Sequence, residues 1–293
     1  MAAVVTQLFG TLPTFHAWLA VLAALLWVGP LPVMAGDSPS SPGVGAVCVE
    51  PLLKGLRLVW VPAGCFFPNG PDGPEKCVAG FWLGETEVTQ SQWQKVMHGN
   101  PARFKGDAHP VERVSASDVQ LFMDRLNGQS ERQYRLPTDT EWSYACQLGE
   151  KTVPAPGSMG HLQSVAWFGL PWGKGHQPVA GKGPNTLGLY DMSGNVWEWV
   201  SGEVRGKVMG ALLVTDSPPS PSGLDHEQGE YNGFVIVRGG GWGYSAKLQG
   251  CASQKMLRPL LREEVVGFRL ALSGQGERTC FSTPQKNESL RDQ

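Results

Sequence analysis

Two hydrophobic rhythms alternate along the first half of the chain. Leu56 to Val61 alternates apolar and polar positions and is rich in β-formers, so it predicts a strand, ended by Pro62, Ala63 and Gly64. Phe81 to Leu83 begins a second strand. Three helix starts follow, each marked by a side chain that can cap the first turn. Thr89 with Gln92 opens a helix to about Met97, stopped by Gly99. Ser115 with Asp118 opens Ala116–Asn127, with Val119, Phe122, Met123 and Leu126 on one face and Gly128 at the end. Thr138 with Glu141 opens Asp139–Gln147, stopped near Gly149. Beyond that point the rhythm fades. Residues 149–233 read as loop, with turns at Pro154, Pro156, Gly173, Gly175, Gly183 and Gly194 and a flexible insertion at 216–223. Phe234–Val237 and Gly267–Leu272 read as closing strands. A structureless stretch of this length inside a compact domain needs something else to hold it, and metal ions, disulfides and buried Trp are the candidates.

The N-terminus carries a different signal. The first charged side chain is Asp37, and before it lies the apolar run Ala17 to Val28. Twelve residues are short for a membrane span, which needs about 20. Val33 and Ala35 suit a signal-peptidase site. Residues 1–35 therefore read as a signal peptide, with a retained anchor as the alternative, since no Lys or Arg precedes the run. A Ser/Pro/Gly linker covers 36–46, a folded domain 47–275 and a polar tail 276–293. Export places the domain in the periplasm.

Composition adds two points. With 24 basic and 26 acidic side chains the net charge is -2, which argues against a nucleic-acid partner. With 38 Gly, 23 Pro and 11 Trp the domain expects irregular backbone held by aromatic clusters. Six cysteines in an exported chain favour disulfides, although the count alone allows 15 pairings. No zinc-type spacing is present, and His16, His98, His109, His161, His176 and His226 read as scattered surface or loop residues.

Five blocks occur in one order: Phe81–Thr89, Arg135–Trp142, Asn185–Trp199, Arg238–Trp242 and Gly267–Arg269. In this order they resemble the formylglycine-generating-enzyme family, or sulfatase-modifying factors, over about residues 56–272. The resemblance implies a single α+β domain, C-type-lectin-like and low in regular secondary structure. The block from Gly188 to Trp199 has a bland reading, a tight turn at Gly194 and Asn195 over core tryptophans. Its sharper reading is a calcium loop, since Asp191 and Glu198 are hard carboxylates flanking a turn whose carbonyls can point inward. The resemblance implies a structural calcium on the Asp191 and Glu198 side chains and the Gly194 and Val196 carbonyls. A second family calcium site, near Val165–Trp167, has Ala166 where Asn is expected and is not carried over.

The resemblance also pairs Cys146 with Cys251. Cys65 and Cys77 bracket an eleven-residue loop that closes easily, and Cys48 with Cys280 is left by elimination. Family catalysis uses two copper-binding cysteines, five positions apart, just after the block at Arg238–Trp242; soft thiolates suit that ion. Here the first position matches Tyr244 and the second falls near Gln249. Copper is therefore not expected, and neither is sulfatase-maturing activity. The iron-binding His pattern of the sulfoxide-synthase branch is also missing. Tyr244, Lys247 and Arg238 are the candidates for any other chemistry in the groove, with Ser245 and Trp242 beside them; against that, Arg238 suits a structural ion pair and Trp242 the core. Arg269 reads as structural.

Two function classes follow. In the first, the chain is an exported, non-catalytic binding or regulatory protein accessory to an envelope process. By resemblance that process is of the kind that controls type VI secretion. The partner would be a periplasmic or membrane protein such as an envelope sensor kinase, and Trp172, Tyr231, Trp242 and Tyr244 would hold a peptide or glycan. In the second, it is a periplasmic enzyme using non-cysteine chemistry, like the family branch that oxidises a siderophore during pyoverdine maturation. Formylglycine generation through rearranged cysteines, with Cys251 as a displaced thiol, is a third and weaker reading.

Overall fold

A computed structural model describes residues 42–68, 70–150, 159–208, 211–215 and 234–274. The signal or anchor segment, the insertion at 216–223, Tyr231, the polar tail and Cys280 lie outside the described residues, as do Pro154 and Pro156.

Eleven strands and four helices are described. Strands β1 (Val47–Val49), β2 (Arg57–Val61), β5 (Phe81–Gly84) and β11 (Ala271–Ser273) form an antiparallel sheet in the order β1-β2-β5-β11. Trp60 lies opposite Trp82, and their rings meet edge to face at 5.3 Å. A second sheet has the order β10-β6-β8-β9, from β6 (Trp197–Val208), β8 (Phe234–Gly239), β9 (Gly250–Leu257) and β10 (Val266–Phe268), with β7 (Ala211–Thr215) paired to β6. Strands β3 (Gly64–Phe66) and β4 (Lys76–Val78) make a small ribbon.

The helices follow their caps. Helix α1 (Gln90–Met97) and α2 (Ala116–Asn127) each carry a complete capping box, at Thr89/Gln92 and Ser115/Asp118. Each box satisfies backbone N–H groups that the first turn would otherwise leave open. Trp93 of α1 stacks on Phe122 of α2 at 5.2 Å, and both rings meet Phe268 of β10. The stop after α1 is His98 at φ 61, one residue before the expected glycine. Helix α3 (Asp139–Glu150) runs past the expected Gln147, and α4 (Met159–Val165) was not expected.

Two sequence expectations need correction. The stretch read as loop contains α4, β6 and β7; the tryptophans of its central block are core residues of a sheet, so the block doubles as a turn and a strand start. The single closing strand expected at Gly267–Leu272 is two strands in different sheets. β10 runs parallel to β6, β11 runs antiparallel to β5, and the chain crosses between them at Arg269 and Leu270.

Two disulfides fasten this frame. Cys65–Cys77 closes the ribbon, and Cys146–Cys251 ties α3 to β9 across a sequence separation of 105. Cys48 is also disulfide-bonded.

Candidate functional site

A cleft of about 690 Å³ opens where four loops meet, lined by Arg103, Arg113, Trp172, Tyr244 and the segment from Arg262 to Val265. The block at the end of β8 shapes one wall. Gly239 and Gly240 have φ of 95 and 100, a region closed to most side chains. A Cβ on Gly240 would sit 2.0 Å from the Gln249 Oε1, so the chain turns back on itself only with glycine there. That turn buries Trp242 and presents Tyr244. Trp242 meets Phe104 at 5.4 Å and Trp172 at 5.2 Å, while Tyr244 meets Trp172 and Trp197 at 5.7 Å each. Trp172 remains 53% exposed and forms the rim.

Of the three residues expected to carry chemistry, one is in the cleft. The Tyr244 hydroxyl accepts a hydrogen bond from Lys255 Nζ at 3.2 Å, and Lys255 also pairs with Glu263 at 3.3 Å. Partial burial works to lower the Lys255 pKa, but Tyr244 and Glu263 outweigh it and push it up, so the ammonium stays charged. Lys247 sits on an exposed 3-10 turn, Ala246–Leu248, and does not line the cleft. Arg238 is buried in a two-bond pair with Asp139, at 2.6 and 2.9 Å, which binds β8 to α3. Gln249 donates to the carbonyls of Gly241, Tyr244 and Ser245 and so pins the turn. Among the described residues no cysteine is free.

Behind the cleft lies a buried charge cluster. Arg269, at the crossover between the sheets, donates twice to Glu198, at 2.6 Å each, and once each to the carbonyls of Gly84 and Tyr190. Trp142 Nε1 donates to the same carboxylate at 2.7 Å. Glu87 and Asp191 share this interior. Burial, then Asp191 and Glu198, hold the Glu87 carboxyl well above its usual range, and burial pushes Asp191 up to about 6. Asp191 Oδ2 accepts from the Ala180 N–H, and a hydrogen bond with the Glu87 carboxyl also favours the Asp191 carboxylate; apart from that contact with each other, neither oxygen of Glu87 nor Oδ1 of Asp191 has a donor. Three buried acids thus surround one arginine.

The expected calcium donors fit this interior in chemistry and charge. Asp191 keeps an open hard oxygen, and Glu198 Oε1 accepts only one bond, so a second lone pair remains. The loop backbone is left-handed at Asp191, Gly194 and Asn195, and a Cβ on Gly194 would lie 2.3 Å from the Trp167 carbonyl oxygen.

Sequence reasoning missed two features. His176 sits in a loop, as expected, but it is fully buried there rather than at the surface. Its Nδ1 lies 3.1 Å from His109 Nδ1, and its Nε2 lies 3.6 Å from Glu112 Oε1. Glu112 in turn accepts from the backbone N–H groups of Arg103 and Phe104, fixing a loop that lines the cleft. No local pattern joins residues 67 positions apart, so the sequence held no signal for this pair. The second is Arg113, at φ 58 beside Glu112.

Comparison with known proteins now has a frame. The model of the sulfatase-modifying factor enzyme 1-like domain matches residues 53–273. Chaperone protein LppX of Paenibacillus barcinonensis is 28% identical over 245 residues, covering 63% of this chain and 78% of that protein. Serine/threonine-protein kinase Pkn1 of Chlamydia trachomatis is 30% identical over 248 residues, covering 76% of this chain but only 39% of the kinase. Among solved structures, Treponema denticola variable protein 1 superposes with a TM-score of 0.60 at 25% identity, covering 80% of this chain and 98% of that one. The chain belongs to the sulfatase-modifying factor enzyme 1-like family and has its α+β fold.

Proposed function

We propose that this family member is an exported binding or regulatory protein, working in the periplasm as an accessory to an envelope process such as type VI secretion signalling. One observation carries the reading. By resemblance, the two thiol positions fall at Tyr244 and near Gln249; in the structure Tyr244 is hydrogen-bonded to Lys255, and Gln249 is spent on three backbone carbonyls. What remains is an aromatic and cationic surface suited to holding a ligand. The resemblance to part of Pkn1, a serine/threonine-protein kinase, is compatible with a kinase-related context for the partner. The enzymatic alternative draws less support from Lys255, since Tyr244 and Glu263 favour its charged form over the free base that base catalysis would use.

The direct test offers the purified protein a cysteine-containing sulfatase-type peptide with copper and oxygen. No peptide aldehyde is expected; its formation at a catalytic rate would overturn the reading.

The reading includes a structural calcium on Asp191, Glu198 and the Gly194 and Val196 carbonyls. Its contribution is to cross-link the loop to the buried cluster and neutralise two surplus negative charges. A chelator such as EGTA is then expected to lower the melting temperature, and added calcium to restore it. A site held at 100 times its Kd contributes about 2.7 kcal/mol. Asp191→Asn should abolish the calcium response; an unchanged melting curve with and without EGTA would remove calcium from the account.

A further inference from the structure

Resting on the binding role just proposed, the cleft also specifies what it binds. Its cations are not equivalent. Arg103 pairs with Glu264, Arg262 with Asp118 and Lys255 with Glu263. No carboxylate among the described residues pairs with Arg113, which is exposed and lines the same cleft.

The backbone of Arg113 sharpens the point. Its φ of 58 places a long side chain in the left-handed region, where glycine or asparagine sits with less strain. The position is fixed on both sides: Glu112 and Val114 are fully buried, and the Arg113 N–H donates to the Glu263 carbonyl at 3.0 Å. Stability alone would favour a residue at ease in that conformation. An arginine held there, without a counter-charge and facing a cleft, has its use in what enters the cleft.

The surroundings narrow the ligand. Trp172 and Tyr244 line the same cleft, and Leu260 and Leu261, just before Arg262 in the chain, are exposed outside its lining. A ligand that fits offers an anionic group beside aliphatic groups. An acidic peptide segment supplies both, whereas an acidic glycan supplies no aliphatic side chains. A carboxylate also matches the planar fork of a guanidinium with two parallel hydrogen bonds. We infer that the cleft binds an acidic, leucine-bearing peptide segment of the partner, with Arg113 as the residue that selects its carboxylate.

The test uses the full exported chain and fluorescence anisotropy. The probes are a fluorescein-labelled octapeptide alternating leucine and glutamate, the same peptide with glutamine for glutamate, and polygalacturonate as competitor. The glutamate peptide is expected to bind at least roughly tenfold more tightly than the glutamine peptide, and more weakly as salt rises. Arg113→Asn should reduce affinity for the glutamate peptide to that of the glutamine peptide while the melting temperature stays level or rises. That pairing separates lost recognition from lost folding. Arg113→Lys should fall between, keeping the charge without the fork.

Equal affinity for the two peptides, full affinity in Arg113→Asn, or no binding of the glutamate peptide up to about 1 mM would each overturn the inference. So would tighter binding of polygalacturonate than of the glutamate peptide. Aldehyde formation in the sulfatase-peptide assay would instead sink the non-catalytic reading and leave the charge preference of Arg113 standing.

Discussion

Replacing Arg269 by methionine is expected to cost more than any other single change in this domain. The guanidinium is fully buried and is the charge partner of Glu198; it also holds the Gly84 and Tyr190 carbonyls of two separate segments. Without it, Glu198 would lose its only side-chain charge partner, and the buried acids Glu87 and Asp191 would lose the arginine that lowers their pKa values. Breaking one buried pair typically costs about 3–5 kcal/mol. Against a total stability of roughly 5–15 kcal/mol, that is a third or more for most of the range, and a domain near its lower end would be left close to its unfolding midpoint. Chemical unfolding of the purified protein measures the loss. The double change Glu198→Met with Arg269→Met should be less damaging than Arg269→Met alone, because it removes the stranded acid as well. A single variant within about 1 kcal/mol of the parent would show that the cluster is not the anchor described here.

The second large effect is expected from removing the Cys146–Cys251 bridge. This bond ties α3 to β9 and closes a loop with a sequence separation of 105, which includes α4, β6, β7 and β8. Loop-closure entropy for a ring of that size is about 4.7 kcal/mol, and measured losses for native disulfides run about 2–5. In a domain of this size that corresponds to a fall in melting temperature on the order of 10 °C. The Cys146→Ala, Cys251→Ala pair should show it by calorimetry. The corresponding change at Cys65 and Cys77 should cost less, since the separation there is only 12. The reverse ranking would contradict the account.

The parts of the fold that the sequence announced are those with local causes. Thr89, Ser115 and Thr138 each have a partner three residues on, and a capping box acts within one turn; the three helices start where those residues stand. Leu58 to Val61 pairs with β5; rather than the alternation expected, it is a short β-forming apolar run buried at every position, and such a run is local information. Strand β9 was not legible: it alternates polar and small residues, Cys251 and Leu257 are its buried ends, and its middle is partly or fully exposed. The crossing at Arg269 was hidden for another reason. Two short strands separated by two residues look like one strand until their partners, β6 and β5, are known.

The site divides in the same way. Tyr244 and Trp172 were visible because the block ending at Trp242 fixes where the family groove lies. Lys247, three residues from Tyr244, was misplaced because the 3-10 turn carries it away from the cleft. Arg113 lines the cleft from a left-handed backbone position, and Lys255 reaches Tyr244 and Glu263 through a sheet register; no local pattern encodes either. The pairing of His109 with His176, and the buried Glu112 that fixes the Arg103 loop, likewise exist only in three dimensions.

The most direct measurement is a thiol count with a non-reducing peptide map of the purified protein. The account predicts no titratable thiol, with Cys65 linked to Cys77 and Cys146 linked to Cys251. Tyr244 and Gln249 would then stand beside a cleft that has no thiolate to offer copper, and ligand binding would be its use. A free Cys251 accompanied by a second reduced cysteine would contradict this, and would return copper-dependent oxidation as the leading function.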